Sequence, residues 1–170
     1  QGRGIEGLKI AIVGDVRHSR VARSNIWAHL ALGNSVQLVG PETLVPQEFL
    51  GKKFCAGRVK IFHDLASGIE GADVVMVLRM QLERMKDFFV PSLEEYSRFY
   101  CVSEKILARV APQCVVLHPG PVNRGIEISS EVVDGARSLV NRQVSYGVAV
   151  RMAVLFLLGM RSQNVEGKLP

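Results

Sequence analysis

A concentration of cations follows the first apolar run of the chain. Arg17, His18, Arg20 and Arg23 lie close together, shortly after a run of apolar residues that ends at Val13. The same segment opens a predicted helix, and the amino end of a helix carries about half a positive charge, which favours anions over cations. We therefore expect an anion here, either a carboxylate of the protein or a bound ligand.

Two more polar segments follow apolar runs later in the chain, one after the run 74–78 and one after the run 114–117. The residues of interest are Arg79, Gln81, Glu83 and Arg84 in the first segment and His118, Gly120 and Pro121 in the second. Arginine binds carboxylate or phosphate through two parallel hydrogen bonds, and each charge-assisted bond contributes about 1.5–3 kcal/mol. Two arginines with an amide between them would suit a small dianion.

The cationic and amide residues also have structural interpretations. Arg20 could form an ion pair with Asp15 or Glu83 instead of binding a ligand. Arg79 could be an ordinary surface residue, and Gln81 could be a loop amide that faces solvent. These alternatives stay open at the level of the sequence.

The third segment contains a histidine and a Pro-Gly-Pro turn at 119–121. A hydrogen-bonding residue at the end of a strand is the favoured interpretation of His118. The turn either contacts a ligand or is only a rigid connection. The bond between residues 120 and 121 precedes a proline and could be cis, which would direct backbone carbonyls into a cleft.

Alternating apolar runs and helical patterns are expected to position these segments. Strands are predicted at 8–13, 35–39, 59–62, 74–78 and 114–117, and helices at 19–33, 65–71, 92–100, 103–110 and 143–159. This alternation predicts a three-layer, doubly wound α/β domain over 1–170, with about four to five parallel strands and a frayed tail at 161–170. In the Rossmann-like strand order 3-2-1-4-5, the three polar segments meet in one cleft beyond the carboxyl ends of the strands.

The last predicted helix, 143–159, is apolar on nearly all sides. A surface helix needs only one apolar stripe, so this helix either crosses the middle of the domain or packs against another domain or subunit. We favour the second. The apolar run is slightly short for a bilayer and contains Arg151, so we expect no membrane span.

Composition limits the classes of function. The 170 residues carry a net charge of +5, which permits acidic substrates, but only 6% are aromatic and the basic residues are scattered, so nucleic acid is disfavoured. The three cysteines are odd in number and far apart, which indicates a reducing, cytoplasmic setting without disulfides or zinc. Glycine-rich dinucleotide, Walker-type and nucleophile-elbow motifs are missing, so no cofactor or metal is expected.

Four motifs together resemble the aspartate carbamoyltransferase family, in its carboxyl-terminal, aspartate-binding half. They are Gly-Asp-Val-Arg-His-Ser-Arg-Val-Ala-Arg-Ser at 14–24, Leu-Arg-Met-Gln-Leu-Glu-Arg at 78–84, His-Pro-Gly-Pro-Val-Asn-Arg-Gly-Ile-Glu-Ile at 118–128 and Gln-Val-Ser-Tyr-Gly-Val-Ala-Val-Arg-Met-Ala-Val-Leu at 143–155. The sister ornithine family carries His-Cys-Leu-Pro in place of His-Pro-Gly-Pro. The resemblance therefore favours aspartate over ornithine.

The resemblance implies a role for each site residue. Arg20 and Arg79 would hold the carboxylates of L-aspartate with help from Gln81, while backbone groups of Gly120 and Pro121 would face carbamoyl phosphate. Arg17, Glu83 and Arg84 would serve loop and domain closure, and His118 would support the site. In this family the amine of aspartate attacks the carbamoyl carbon and phosphate leaves, through positioning and charge stabilisation.

The resemblance also implies what lies outside this chain. The family's amino-terminal half carries a Ser-Thr-Arg-Thr-type phosphate loop that does not occur here, and the last helix of the family packs onto that half. We expect the isolated chain to be inactive and the full enzyme to be a homotrimer, with a dihydroorotase or regulatory partner conceivable. A non-catalytic assembly module and a generic nucleotide-binding domain are the competing hypotheses.

Overall fold

A computed structural model of the chain describes residues 4–50, 57–80 and 92–166. Five parallel strands form one sheet in the order β3-β2-β1-β4-β5. They are β1 (Lys9–Val13), β2 (Ser35–Val39), β3 (Val59–Phe62), β4 (Val74–Val77) and β5 (Val115–Leu117). The predicted fold class, the five strands and their order are confirmed.

Helices cover both faces of this sheet. They are α1 (Arg20–Ala31), α2 (Leu65–Ile69), α3 (Leu93–Tyr100), α4 (Glu104–Val110), α5 (Ser130–Asp134) and α6 (Val140–Glu166), with a short 3₁₀ helix at Gln47–Leu50. The 3₁₀ helix and α5 were not predicted. The last helix also runs beyond its predicted end at 159 as far as Glu166, because Gly159 costs only about 1 kcal/mol in a helix and no proline interrupts this stretch. The rest of the tail for which fraying was expected, 167–170, lies outside the described residues.

Most of the core forms two apolar layers, one on each side of the sheet, and a smaller cluster contains Leu44, Met80 and Tyr96. Along β1, Ile10 and Ile12 point into one layer, while Ala11 and Val13 point into the other, and all four are fully buried. Helix α1 covers the first layer with a stripe spaced four residues apart, made of Ala22, Ile26 and Leu30. This stripe fixes the position of the helix whose amino end carries the cationic segment.

Local capping defines where α1 begins. The side chain of Ser19 accepts a hydrogen bond from the backbone N–H of Ala22 at 3.0 Å, as expected of an N-cap. At the other end, Gly33 follows the helix with a φ of 78°, a conformation that glycine adopts without strain. Ser103 lies at the N-cap position of α4, but its side chain makes no capping bond.

Helix α6 is the exception to this compact arrangement. Its segment Val140–Met160 has a mean hydropathy of 1.5 and is not buried by the rest of the domain. It is long enough to cross a membrane, so the expectation that the apolar run is too short for a bilayer is wrong, because the helix begins before that run. Leu155 is 70% exposed and Phe156 is 66% exposed. The alternative in which this helix crosses the middle of the domain is therefore wrong.

Candidate functional site

Three polar segments line one pocket at the carboxyl edge of the sheet. The pocket has a volume of about 130 Å³. It is lined by Asp15, His18, Ser19 and Val21 from the first segment, Leu78 and Arg79 from the second, and Pro119 and Gly120 from the third. The predicted meeting of the three segments is thus observed, because β1, β4 and β5 are neighbours and all end at this edge.

A carboxylate–imidazole pair forms one wall of the pocket. Asp15 is only 5% exposed, and its Oδ1 accepts the backbone N–H of His18 at 3.0 Å. The Nδ1 atom of His18 lies 3.0 Å from both carboxylate oxygens of Asp15. Asp15, one of the two ion-pair partners suggested for Arg20, is therefore hydrogen-bonded to His18. Sequence reasoning did not assign either member of this pair to the site, although both stand in the first motif.

The three arginines of the first segment have different surroundings. Arg20 is exposed at the first position of α1, between two residues that line the pocket. The Nη1 atom of Arg17 donates to the carbonyl of Thr43 at 3.4 Å, and Nη2 of Arg23 donates to the carbonyl of Arg17 at 3.2 Å. Arg17 and Arg23 thus stabilise the loop ahead of α1.

Among the arginines of the described residues, Arg79 is the one that lines the pocket. It is half-buried and follows Leu78, whose N–H still belongs to the sheet through a 2.8 Å bond to the carbonyl of Val13. The next residue, Met80, is fully buried and anchors the segment. The remaining predicted residues of this segment, Gln81, Glu83 and Arg84, lie outside the described residues.

The third segment forms a tight turn at the pocket. The peptide bond between Gly120 and Pro121 is cis, as the sequence had suggested it could be, and Gly120 has a φ of 68°. His118 does not reach the pocket, contrary to its predicted place around the cleft. It is fully buried and accepts the backbone N–H of Gly120 on Nδ1 at 2.9 Å. This is the strand-end hydrogen-bonding role that was the favoured alternative.

One buried acid behind the turn was missed by sequence reasoning. Glu127 is fully buried, with Oε1 at 3.2 Å from Nε2 of His118 and 2.6 Å from the backbone nitrogen of Asn123. The available signal was a carboxylate between two apolar residues, Ile126 and Ile128, since a charged residue in an apolar run needs a specific partner. Nearby, burial raises the pKa of Tyr96 far above its usual range.

A larger pocket, of about 220 Å³, lies beyond the ends of β2 and β3. Its lining includes His63, Asp64, Glu95 and Tyr100, so its charged groups within the described residues are acidic rather than cationic. It is less suited to an anion than the smaller pocket at Arg79. Over residues 4–50, 57–80 and 92–166, no cluster of three or more metal-ligating side chains occurs.

The fold and the pocket define a class, a parallel α/β domain that presents arginine and a cis-proline turn at the carboxyl edge of its sheet. A family model described as the Asp/Orn binding domain of aspartate/ornithine carbamoyltransferase matches residues 6–158, and the chain belongs to this family.

Curated relatives match nearly the whole chain but only part of their own length. The aspartate carbamoyltransferase catalytic subunit of Granulibacter bethesdensis is 50% identical over 169 residues, which are 98% of this chain and 51% of that protein. The corresponding subunit of Desulforamulus reducens is 53% identical over 152 residues, 89% of this chain and 47% of that protein. The chain thus spans about half the length of the curated relatives it matches.

Solved structures agree on the fold. The catalytic subunit of aspartate transcarbamoylase from M. jannaschii is 29% identical with a TM-score of 0.71, over 89% of this chain and 50% of that one. Ornithine carbamoyltransferase from Pyrococcus furiosus is 26% identical with a TM-score of 0.74, over 89% of this chain and 49% of that one. Both substrate branches of the family therefore share this architecture.

Proposed function

We propose that the chain is the L-aspartate-binding half of an aspartate carbamoyltransferase. The full enzyme would transfer the carbamoyl group of carbamoyl phosphate to the amine of L-aspartate, giving N-carbamoyl-L-aspartate and phosphate in de novo pyrimidine biosynthesis. One observation carries the proposal: Arg79 and the cis turn at Gly120 share a pocket with the segment that leads into Arg20.

Aspartate is favoured over ornithine for two reasons. Two arginines suit a dicarboxylate better than an amino acid with a cationic side chain. The turn reads His-Pro-Gly-Pro rather than the His-Cys-Leu-Pro of the ornithine branch, and the relatives near 50% identity are named aspartate carbamoyltransferases.

The mechanism that fits this site relies on placement and charge. Guanidinium groups of Arg20 and Arg79 would hold the two carboxylates of aspartate, with Gln81 beside them. Backbone groups of Gly120 and Pro121 would face carbamoyl phosphate and direct its carbonyl carbon toward the attacking amine. Fixing two substrates in register contributes several kcal/mol to such a reaction, about 7–11 kcal/mol in well-oriented cases, and no covalent enzyme intermediate is needed.

Closure of the site completes this mechanism. Arg17, Glu83 and Arg84 would act in loop and domain closure around the bound substrates. His118 would support the site from behind, because it accepts the N–H of Gly120 without reaching the pocket.

The exposed helix α6 is assigned to contact with the carbamoyl phosphate half. The family match extends to residue 158 and so includes most of this helix, which makes it an element of the domain rather than an added anchor. Its apolar surface would be covered by that half rather than by a bilayer. A cytoplasmic homotrimer is the assembly we expect, and a dihydroorotase or regulatory subunit is conceivable as an additional partner.

Mixing the two halves tests this function. The chain alone is expected to show no turnover, whereas the chain mixed with a separately produced carbamoyl phosphate domain should form N-carbamoyl-L-aspartate. Arg79→Ala in the mixture should abolish that product. Full activity from the chain alone would refute the assignment of the two substrates to separate halves of the enzyme. Inactivity in every mixture would favour a non-catalytic assembly module.

A further inference from the structure

Behind the pocket lies a buried chain of hydrogen bonds that the proposed reaction does not itself use. His118 at the end of β5 and Glu127 are both fully buried, with Nε2 and Oε1 3.2 Å apart. Neither side chain lines the pocket. A carboxylate in such a place loses its hydration, which is costly unless hydrogen-bond partners compensate for it.

The hydrogen bonds determine which imidazole nitrogen carries the proton. A backbone N–H can only donate, so Nδ1 of His118, which lies 2.9 Å from the nitrogen of Gly120, must accept and is unprotonated. The ring proton of the neutral imidazole is then on Nε2, where it is donated to Oε1 of Glu127. The carboxylate therefore selects the tautomer that can hold the glycine of the cis turn.

The same carboxylate oxygen continues the chain toward the second polar segment. Oε1 of Glu127 accepts the backbone N–H of Asn123 at 2.6 Å. The side-chain Nδ2 of Asn123 in turn donates to the carbonyl of Met80 at 3.0 Å, and Met80 directly follows Arg79. An unbroken path of hydrogen bonds thus joins Gly120 to the residue beside Arg79.

We propose that Glu127 and His118 are positioning residues that set the spacing between the cis turn and the Arg79 segment. On the proposed function, these two segments serve carbamoyl phosphate and aspartate respectively, so the inference rests on that function. The pair acts through backbone groups rather than by touching substrate. Its contribution is to hold the two substrate-binding segments in register.

Two substitutions of Glu127 separate this role from simple packing. Glu127→Gln keeps an amide oxygen that can accept from both His118 and Asn123, whereas Glu127→Leu keeps the volume and loses the acceptor. In the chain assembled with the carbamoyl phosphate half, Glu127→Leu should lower kcat on the order of 10–100-fold, since a small displacement of reacting groups has effects of that size. Glu127→Gln should stay within about threefold of the parent.

A matched control comes from the amino ends of the strands, on the side of the sheet away from the pocket. Asn34 is also fully buried, accepts the N–H of Leu8 at 2.8 Å and lies away from the pocket. Asn34→Leu should destabilise the fold by a comparable amount and leave kcat unchanged. Equal losses of kcat in Asn34→Leu and Glu127→Leu would overturn the proposal.

A spectroscopic measurement keeps the inference separable from the proposed function. Imidazole ¹H–¹⁵N correlation spectra of the chain should show His118 protonated on Nε2 and not on Nδ1, in the parent and in Glu127→Gln. A proton on Nδ1 of the parent, or Glu127→Gln as damaging to kcat as Glu127→Leu, would overturn the positioning role. An assembly with no carbamoyltransferase activity would refute the function, while the spectra would still decide the tautomer.

Discussion

The backbone N–H of His118 donates to Oε1 of Gln143 across 2.9 Å. This bond joins the end of β5 to the first turn of α6, the helix whose apolar surface lies open in this chain. Helix α6, which we propose contacts the carbamoyl phosphate half, is therefore hydrogen-bonded to His118, the residue that holds the cis turn. The bond between Gln143 and His118 therefore links α6 to the turn that lines the pocket.

Removing the side-chain amide of Gln143 should destabilise the chain. Gln143→Leu leaves the buried N–H of His118 without its acceptor, which costs about 1–3 kcal/mol. Urea unfolding should show this loss directly. Asn141→Leu, an exposed substitution one residue into the same helix, serves as the control and should stay within about 0.5 kcal/mol of the parent. Equal effects of the two substitutions would contradict the importance of the bond.

The two exposed arginines of α1 should differ in function. Arg20→Ala removes a proposed carboxylate ligand, and the loss of about 1.5–3 kcal/mol of charge-assisted bonding should raise the KM for L-aspartate roughly 10–100-fold in the assembled enzyme. Arg23→Ala removes a similar exposed charge but only a 3.2 Å bond to the carbonyl of Arg17, so KM should change little. Steady-state kinetics decide between them, and a larger effect from Arg23→Ala would exclude the assignment of Arg20.

Helix α6 should tolerate charge in the isolated chain but not in the assembly. Leu155→Glu and Phe156→Glu alter side chains that are mostly exposed, so the free energy of unfolding should change by no more than about 0.5 kcal/mol. Association with the carbamoyl phosphate half, followed by analytical ultracentrifugation, should weaken strongly because a charge would be buried in an apolar contact. Lys105→Glu on α4 is the matched control. Unchanged association of both glutamate variants would place the interface elsewhere.

The stability of the chain should fall in mild acid through His29. Burial lowers the pKa of His29 below its usual value, and its Nδ1 lies 3.1 Å from Nδ2 of Asn34, which suits an unprotonated ring. The unfolded chain takes up this proton at about pH 6.5, before the folded chain does. The free energy of unfolding therefore decreases as the pH falls below that value.

Comparison with His29→Gln isolates this contribution. Urea unfolding at about pH 7.5 and about pH 5.5 should show a smaller pH-dependent loss in His29→Gln than in the parent, since glutamine does not titrate. The same loss in both proteins would show that His29 is not responsible.

Much of the fold was predictable because it depends on local patterns. Buried parallel strands are continuous apolar runs, and such runs identified all five strands. The strand order then brought the segments of Arg79 and Gly120 to the same edge as the cationic segment. Helix α5 and the 3₁₀ helix were not predicted, because five or four residues contain little of a helical period. Length alone does not decide the matter, since α2 is also five residues long and was predicted.

The supporting shell of the site was not predictable in the same way. Glu127 and His118 pair only because the turn between them folds back and the bridge between Val102 and Ile128 fixes the returning segment. A pairing of this kind depends on tertiary closure, which spacing alone does not encode. The engagement of Asp15 by His18 instead of Arg20 depends likewise on loop geometry ahead of α1.

The choice of substrate by a chimeric enzyme tests the central claim most directly. The chain would replace the half that it matches in the catalytic subunit from Granulibacter bethesdensis, and the product would be measured with carbamoyl phosphate and either L-aspartate or L-ornithine. The account predicts N-carbamoyl-L-aspartate from L-aspartate, no carbamoylation of L-ornithine, and loss of the product in Arg79→Ala. A folded chimera that carbamoylates L-ornithine, or that acts on L-aspartate equally well without Arg79, would contradict it.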